Sequence, residues 1–207
     1  MFARLIEGEW QEFSLADLIE ENGGPANFSP PQPFDDEAAA NHGMARIVNA
    51  ERPEETLTRR PVYTGLTDVE GVPTRQWTLE PIDLEEAKEA VWRAVKRQRT
   101  VLTENPGATV VTPVGAVQSD ARSQANINGL VTMAILAQMT QQPFSADFTL
   151  ADNTVATLNA AQMIGLGVAV GQHVQQAYGR ATELREAIDA VQDIDALEAI
   201  DIGAGWP

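Results

Sequence analysis

No cysteine occurs in the 207 residues, which excludes disulfides, iron–sulfur clusters and thiolate zinc sites. Histidine is nearly as scarce. His42 and His173 are the only two, too few for a histidine-rich metal site. Positive charge is short as well, with 14 Lys and Arg against 30 Asp and Glu. The resulting net charge of -16 disfavours a non-specific nucleic-acid or anionic-membrane surface, so neither nucleic acid nor membrane is expected as a partner. Long apolar runs are missing too. The longest, Met163 to Val170, has 8 residues, whereas a membrane-spanning helix needs about 20. Met1 to Trp10 carry Arg4, Glu7 and Glu9 with no apolar run behind them, so the expectation is a soluble chain without an ordinary secretion signal.

What is present is globular in composition, 43% hydrophobic and 21% charged. The backbone chemistry changes near residue 82. Eight of the 12 prolines precede it, while the remainder is rich in Ala and Gln and carries long helical periodicity. Charge does not follow this division: 15 acidic and 6 basic side chains lie in 1–81, 15 and 8 in 82–207. The fold class expected is α+β, with a small mixed sheet module over 1–81 and a mainly α-helical domain with short β-hairpins over 82–207.

In the first part, Phe2 to Ile6 and Trp10 to Phe13 flank Glu7-Gly8-Glu9 as a hairpin. Ser14 caps a short helix to about Glu21, and Asp35 or Asp36 starts another that ends near Asn41-His42-Gly43. Ala45 to Val48, Leu57 to Tyr63 and Val72 to Leu79 are strands, the last two bracketing a loop from Gly65 to Gly71. In the second part, Asp83 with Glu86 begins an amphipathic helix that stops at Asn105-Pro106-Gly107. Thr109 to Val111 and Val114 to Gln118 form a hairpin. Ser119 is the expected cap of a helix through Ile127, Leu130, Ala134 and Ala137 to about Met139. Phe148 to Leu150 and Val155 to Leu158 form another hairpin, and Asp195 to Ile200 a terminal helix.

Asn159, with Gln162 three residues on, caps the longest helix. Its apolar seam is Met163, Leu166, Val170, Val174, Ala177, Ala181, Leu184, Ile188 and Val191, in steps of three and four. Two readings of the seam stand: packing within the chain, and an interface shared with a second subunit in a homo-oligomer. Gly179 marks a place where this helix softens or breaks.

The search for chemistry is mostly negative. Gly165-x-Gly167-x-x-x-Gly171 lacks the strand and turn of a dinucleotide site, and close helix approach at Gly167 and Gly171 explains it better. His173 beside Val174 reads as a structural residue, and His42 as a helix end or surface residue. None of the serines sits in a nucleophile elbow. Asp35-Asp36-Glu37 reads as a negative first helical turn, and Asp152-Asn153 as a turn. Lys88, Arg93, Lys96, Arg97 and Arg99 form a basic run on the helix begun by Asp83, read as solvated surface paired with Glu85, Glu86 and Glu89. No catalytic residue, cofactor or metal is expected. From Ser123 to Gly179 only Asp147 and Asp152 are charged, which suggests a core or a subunit interface.

The segment from about Leu84 to Ile200 resembles a C-terminal domain of small bacteriophage tail proteins, usually described only as a domain of unknown function. The likeness rests on Lys96-Arg97-Gln98-Arg99 and on the run Val117-Gln118-Ser119-Asp120-Ala121-Arg122-Ser123-Gln124-Ala125-Asn126-Ile127. It continues through Phe148-Thr149-Leu150-Ala151-Asp152-Asn153-Thr154-Val155, Leu158-Asn159-Ala160-Ala161-Gln162, Val170-Gly171-Gln172-His173-Val174 and Ala187-Ile188-Asp189-Ala190. Phe2 to Phe13, Leu15 to Leu18, Asn27-Phe28-Ser29-Pro30 and Asn41-His42-Gly43-Met44 are similar to the module that often precedes that domain. The chain departs from the pattern at Ala116-Val117, where relatives often carry a larger residue, and at Phe148, often a tryptophan. The resemblance implies a non-enzymatic structural protein of the virion tail, assembled in the host cytoplasm, with a tail-fibre or baseplate protein as partner. An assembly chaperone that leaves the particle is the second reading. A polysaccharide-degrading tail enzyme is the third, and it needs two positioned carboxylates in a groove.

Overall fold

The computed structural model describes residues 1–207. The chain has an α+β architecture, an N-terminal region of short strands followed by helices with interspersed hairpins. It divides into two compact units, Met1–Ile82 and Asp83–Pro207.

The first unit opens with a hairpin of β1 (Phe2–Ile6) and β2 (Glu9–Phe13). Glu7 and Gly8 turn it at φ 52° and 91°, the paired positive φ whose twist suits a two-residue connection. α1 (Leu15–Glu21) is capped by Ser14 in a reciprocal box with Asp17. α2 (Asp36–Asn41) is capped by Asp35 and leads into β3 (Met44–Arg46), which pairs with the free edge of β1. Phe2, Leu18, Ala39 and Met44 form the buried core of this sheet. Phe2 meets Phe34 edge to face at 5.2 Å.

β4 (Val48–Asn49), β5 (Arg59–Val69) and β6 (Val72–Pro81) make a second sheet in the order β4-β6-β5, with β4 parallel to β6. The loop expected from Gly65 to Gly71 is instead mostly strand. Only Glu70 (φ 54°) and Gly71 (φ 83°) turn, which closes a tight two-residue hairpin. Gly65 (φ 128°) lies at an irregularity where the register shifts after Tyr63.

The second unit begins with α3 (Leu84–Thr103). Its cap, Asp83, accepts hydrogen bonds from the backbone N–H groups of Glu85 and Glu86. Ala87, Val91 and Val95 recur every fourth residue and are buried. β7 (Thr109–Thr112) and β8 (Gly115–Gln118) form a hairpin before α4 (Ala121–Met139). β9 (Ser145–Thr149) and β10 (Val155–Asn159) form another before α5 (Ala160–Ala190), and α6 (Ile194–Glu198) ends the order.

α5 organises this unit. Its 31 residues span about 46 Å at 1.5 Å each. Over its first half, Met163, Leu166 and Val170 pack with Ile127 and Ala134 of α4, Val110 and Val117 of the first hairpin, and Leu158 of the second. Each large apolar side chain so buried contributes on the order of 1.5–3 kcal/mol. The second half runs antiparallel along α3. His173 Nε2 lies 3.3 Å from the Leu102 carbonyl, and Lys88 Nζ donates to the Asp189 carbonyl at 3.5 Å.

Three local expectations are corrected. Gly179 does not break α5, because buried Ala177, Ala181 and Leu184 hold the helix on both sides of it. Ser119 is not the cap of α4. Asp120 is, since its charged carboxylate is the stronger acceptor for the Arg122 and Ser123 amides, and Ser119 is fully buried. The terminal helix starts at Ile194, capped by Asp193, and stops before Ile200.

Candidate protein-interaction surface

The seam of α5 is largely spent inside the unit. Met163, Leu166, Val170, Ala177, Ala181, Leu184 and Ile188 are all buried, none more than 4% exposed. Val174 is only half-buried, and it lies between the stretch covered by α4 and that covered by α3. Val191 is not a helical seam residue. It is the C-cap, extended at φ -70° and ψ 151°, because the chain leaves α5 there to reach the Asp193 cap. His173 is part-buried against α3, and His42 is the C-cap of α2, edge to face with Phe28 and stacked with Phe34.

The two glycines expected at a close approach separate. A Cβ on Gly167 would lie 2.5 Å from Val131 Cγ2, so α4 crosses α5 where only a glycine fits. Gly171 is exposed and a Cβ there would meet nothing within 4 Å, so it is not a close-approach residue.

The start of α4 is firmly held. Ser123 Oγ donates to Asp120 Oδ2 at 2.7 Å, and Gln124 Nε2 donates to the carbonyls of Ser119 and Thr103, both at 2.7 Å, which ties the helix to the end of α3. Beside this anchored turn runs a groove of about 640 Å³ between α4 and β9. Ser123, Asn126, Gly129 and Met133 form one wall, and Asp147, Phe148 and Thr149 the other. Asp147 accepts a 2.7 Å hydrogen bond from Thr157 Oγ1 across the hairpin.

The outward face of α4 continues from this groove. Met133, Ile135, Leu136 and Met139 are 59%, 42%, 55% and 75% exposed, and no charged side chain lies between Ser123 and Ala146. The periodic pattern marks Ile127, Leu130, Ala134 and Ala137 on this helix, takes Met139 only as its end and passes over Met133, Ile135 and Leu136. The signal was available in the uncharged stretch itself, which holds more large apolar residues than one buried stripe can take.

Elsewhere, polar groups serve structure. The basic run of α3 lies along a separate groove of about 500 Å³ lined by Arg93, Lys96 and Arg97. Lys88 pairs with Glu85 at 3.3 Å, and Trp92 is flanked by Lys96 and Arg185 at 5.7 and 5.3 Å. Asp36 pairs with Arg46 at 2.6 Å. Four carboxyls are held below the usual carboxylate range by hydrogen bonds. Those bonds come first from Ser14 for Asp17, Trp10 for Asp68, Ser123 for Asp120 and Thr154 for Asp152. Burial, together with Glu12, pushes the Tyr63 phenol up. No group of three or more His, Asp or Glu is arranged to hold a metal ion. No helix is long and apolar enough to cross a membrane.

Residues 86–204 match a family model described as a domain of unknown function, DUF4376. The chain belongs to this family. The DUF4376 segment covers more than half of the chain and lies within the second unit, so it contains the α4 groove, the exposed α4 face and the α5 seam. No curated protein and no solved structure matches the chain.

Proposed function

We propose that the protein is a non-enzymatic component of a bacteriophage tail, associated with the tail fibre or baseplate, and that it acts through protein–protein contacts. One observation carries this reading. The segments that resemble phage tail proteins, distant in sequence, converge on one groove. Ser123 and Asn126 come from the Val117 to Ile127 segment, and Phe148 and Thr149 from the Phe148 to Val155 segment. The uncharged helix face leading out of that groove is suited to a protein partner, because burying it strands no charge.

The chemistry of the groove supports a binding role. Its one carboxylate among the lining residues, Asp147, is engaged by Thr157, whereas glycoside hydrolysis needs a pair of carboxyls flanking the bond. Asp17, Asp68, Asp120 and Asp152 hold their protons less tightly than an ordinary carboxyl, whereas a general acid needs a raised pKa. The protein would fold in the host cytoplasm and join the tail there. The test is quantitative mass spectrometry of purified particles. Recovery at an integer copy number relative to a fibre or baseplate protein is the expected result. Presence in the infected lysate with absence from particles would overturn it and make the protein an assembly factor.

A further inference from the structure

We propose that α4 pairs antiparallel with α4 of a second copy of the chain, Leu136 of each copy seated on Gly129 of the other. The argument starts from Gly129. It sits in mid-helix, exposed, and a Cβ there would meet nothing within 4 Å. A glycine at such a place weakens the helix relative to alanine. Gly165, Gly171 and Gly179 are open in the same way, but of the four Gly129 alone lines the α4 groove. What its missing side chain creates is a notch in the wall of the α4 groove, between Asn126 and Met133.

The size pattern of the exposed face says what fills the notch. The N-terminal half presents Ala125, Gly129 and Thr132, and the C-terminal half presents Ile135, Leu136 and Met139. Small faces large only if two such helices run antiparallel. A two-fold axis between Thr132 and Met133 sets Gly129 opposite Leu136 and Asn126 opposite Met139, and each contact then occurs twice, as an isologous interface requires.

Charge permits the same occupant at this face. Two copies each carrying -16 repel, and carboxylates are spread through both units. The α4 face, with no charged side chain from Ser123 to Ala146, lets them meet without bringing carboxylates together. Its four exposed large side chains leave roughly 400 Å² of apolar surface in water, within the range of the largest patch on a typical monomer and often functional. Asn126, Asn128 and Thr140 border this patch, and the walls of the groove extend it toward the roughly 800 Å² per partner of a standard interface.

Sedimentation velocity of the full chain tests this. The wild type should be a dimer in the micromolar range. Leu136→Glu and Gly129→Gln should each weaken dimerisation by about 100-fold or more, with unchanged circular dichroism. Both positions are exposed, so folding is preserved, and Gly129→Gln should melt no lower as a monomer than the wild type diluted to monomer. Because the chain has no cysteine, Met133→Cys adds a reading of register. It should form a covalent dimer on mild oxidation, and Val111→Cys, on a strand 87% exposed in the same unit, should not. A wild type that stays monomeric to about 100 µM, a dimer that withstands either substitution, or equal cross-linking at both cysteines would overturn the proposal. None of these results depends on the protein's place in a phage particle, so the tail reading and the dimer fail separately.

Discussion

Gly167 and Val131 meet so closely that a single added carbon on the glycine would lie 2.5 Å from the valine methyl Cγ2. Val131 is β-branched and sits in a helix, where its χ1 is nearly fixed, so the methyl cannot swing aside. Gly167→Ala should therefore destabilise the protein by about 1–2 kcal/mol even after the gain in helix propensity. Gly171→Ala and Gly179→Ala, where a Cβ meets open space, should stabilise it by about 0.5–1 kcal/mol each. Urea unfolding of the three variants reads the contrast in sign, and a common sign would contradict the packing described.

Val170 is 4% exposed between α4 and the first hairpin. Val170→Asp should bury a charge with no partner and cost roughly 3–5 kcal/mol. Thermal melts followed by circular dichroism would show it, and a negligible change would remove the assignment of this seam to the core.

Gly71 turns the β5–β6 hairpin at φ 83° directly after Glu70 at φ 54°. Gly71→Val should cost about 1–2 kcal/mol by forcing a Cβ into the left-handed region. Amide hydrogen exchange along Arg59–Val69 and Val72–Pro81 should accelerate, while α5 keeps its protection.

Asp120, Asp17, Asp68 and Asp152 all hold their protons less tightly in the folded chain than the ordinary value of 3.8. Below that value the unfolded chain binds more protons than the native one, so stability falls as pH falls. The contribution is fully present above 3.8 and is lost as pH drops through the depressed folded values. Asp120→Asn keeps the cap acceptor but cannot titrate. Acid titration of its melting temperature should be flatter than that of the wild type below pH 3.8, and parallel curves would show that the cap does not contribute.

Much of this architecture is legible in the sequence because caps and hydrophobic spacing are local. Ser14, Asp83 and Asn159 each place a side-chain acceptor before an apolar period, and all three helices start there. Where two acceptors are adjacent, as at Ser119 and Asp120, spacing alone does not choose. The folded chain prefers the charged oxygen and buries the serine. The β5–β6 turn was obscured because glutamate is an uncommon residue at positive φ, so the glycines at 65 and 71 drew the loop too wide. The candidate site was less legible still. Gly167 and Gly171 have the same spacing that any close approach would show, and only the crossing point of α4 separates them. The exposure of Met133, Leu136 and Met139 depends on which side of α4 the hairpins cover, and that is set by tertiary contacts far apart in the chain.

The unbroken course of α5 has a consequence for how the second unit comes apart. One half of the helix carries the contacts with α4 and the hairpins, the other half those with α3. A break near Gly179 would have allowed each half to melt alone. A single helix running through both denies that freedom, because fraying on one side removes the template on which the other is built. Residues 83–207 should accordingly lose structure in one transition, and a local insult at either end should be felt along the whole length of the rod.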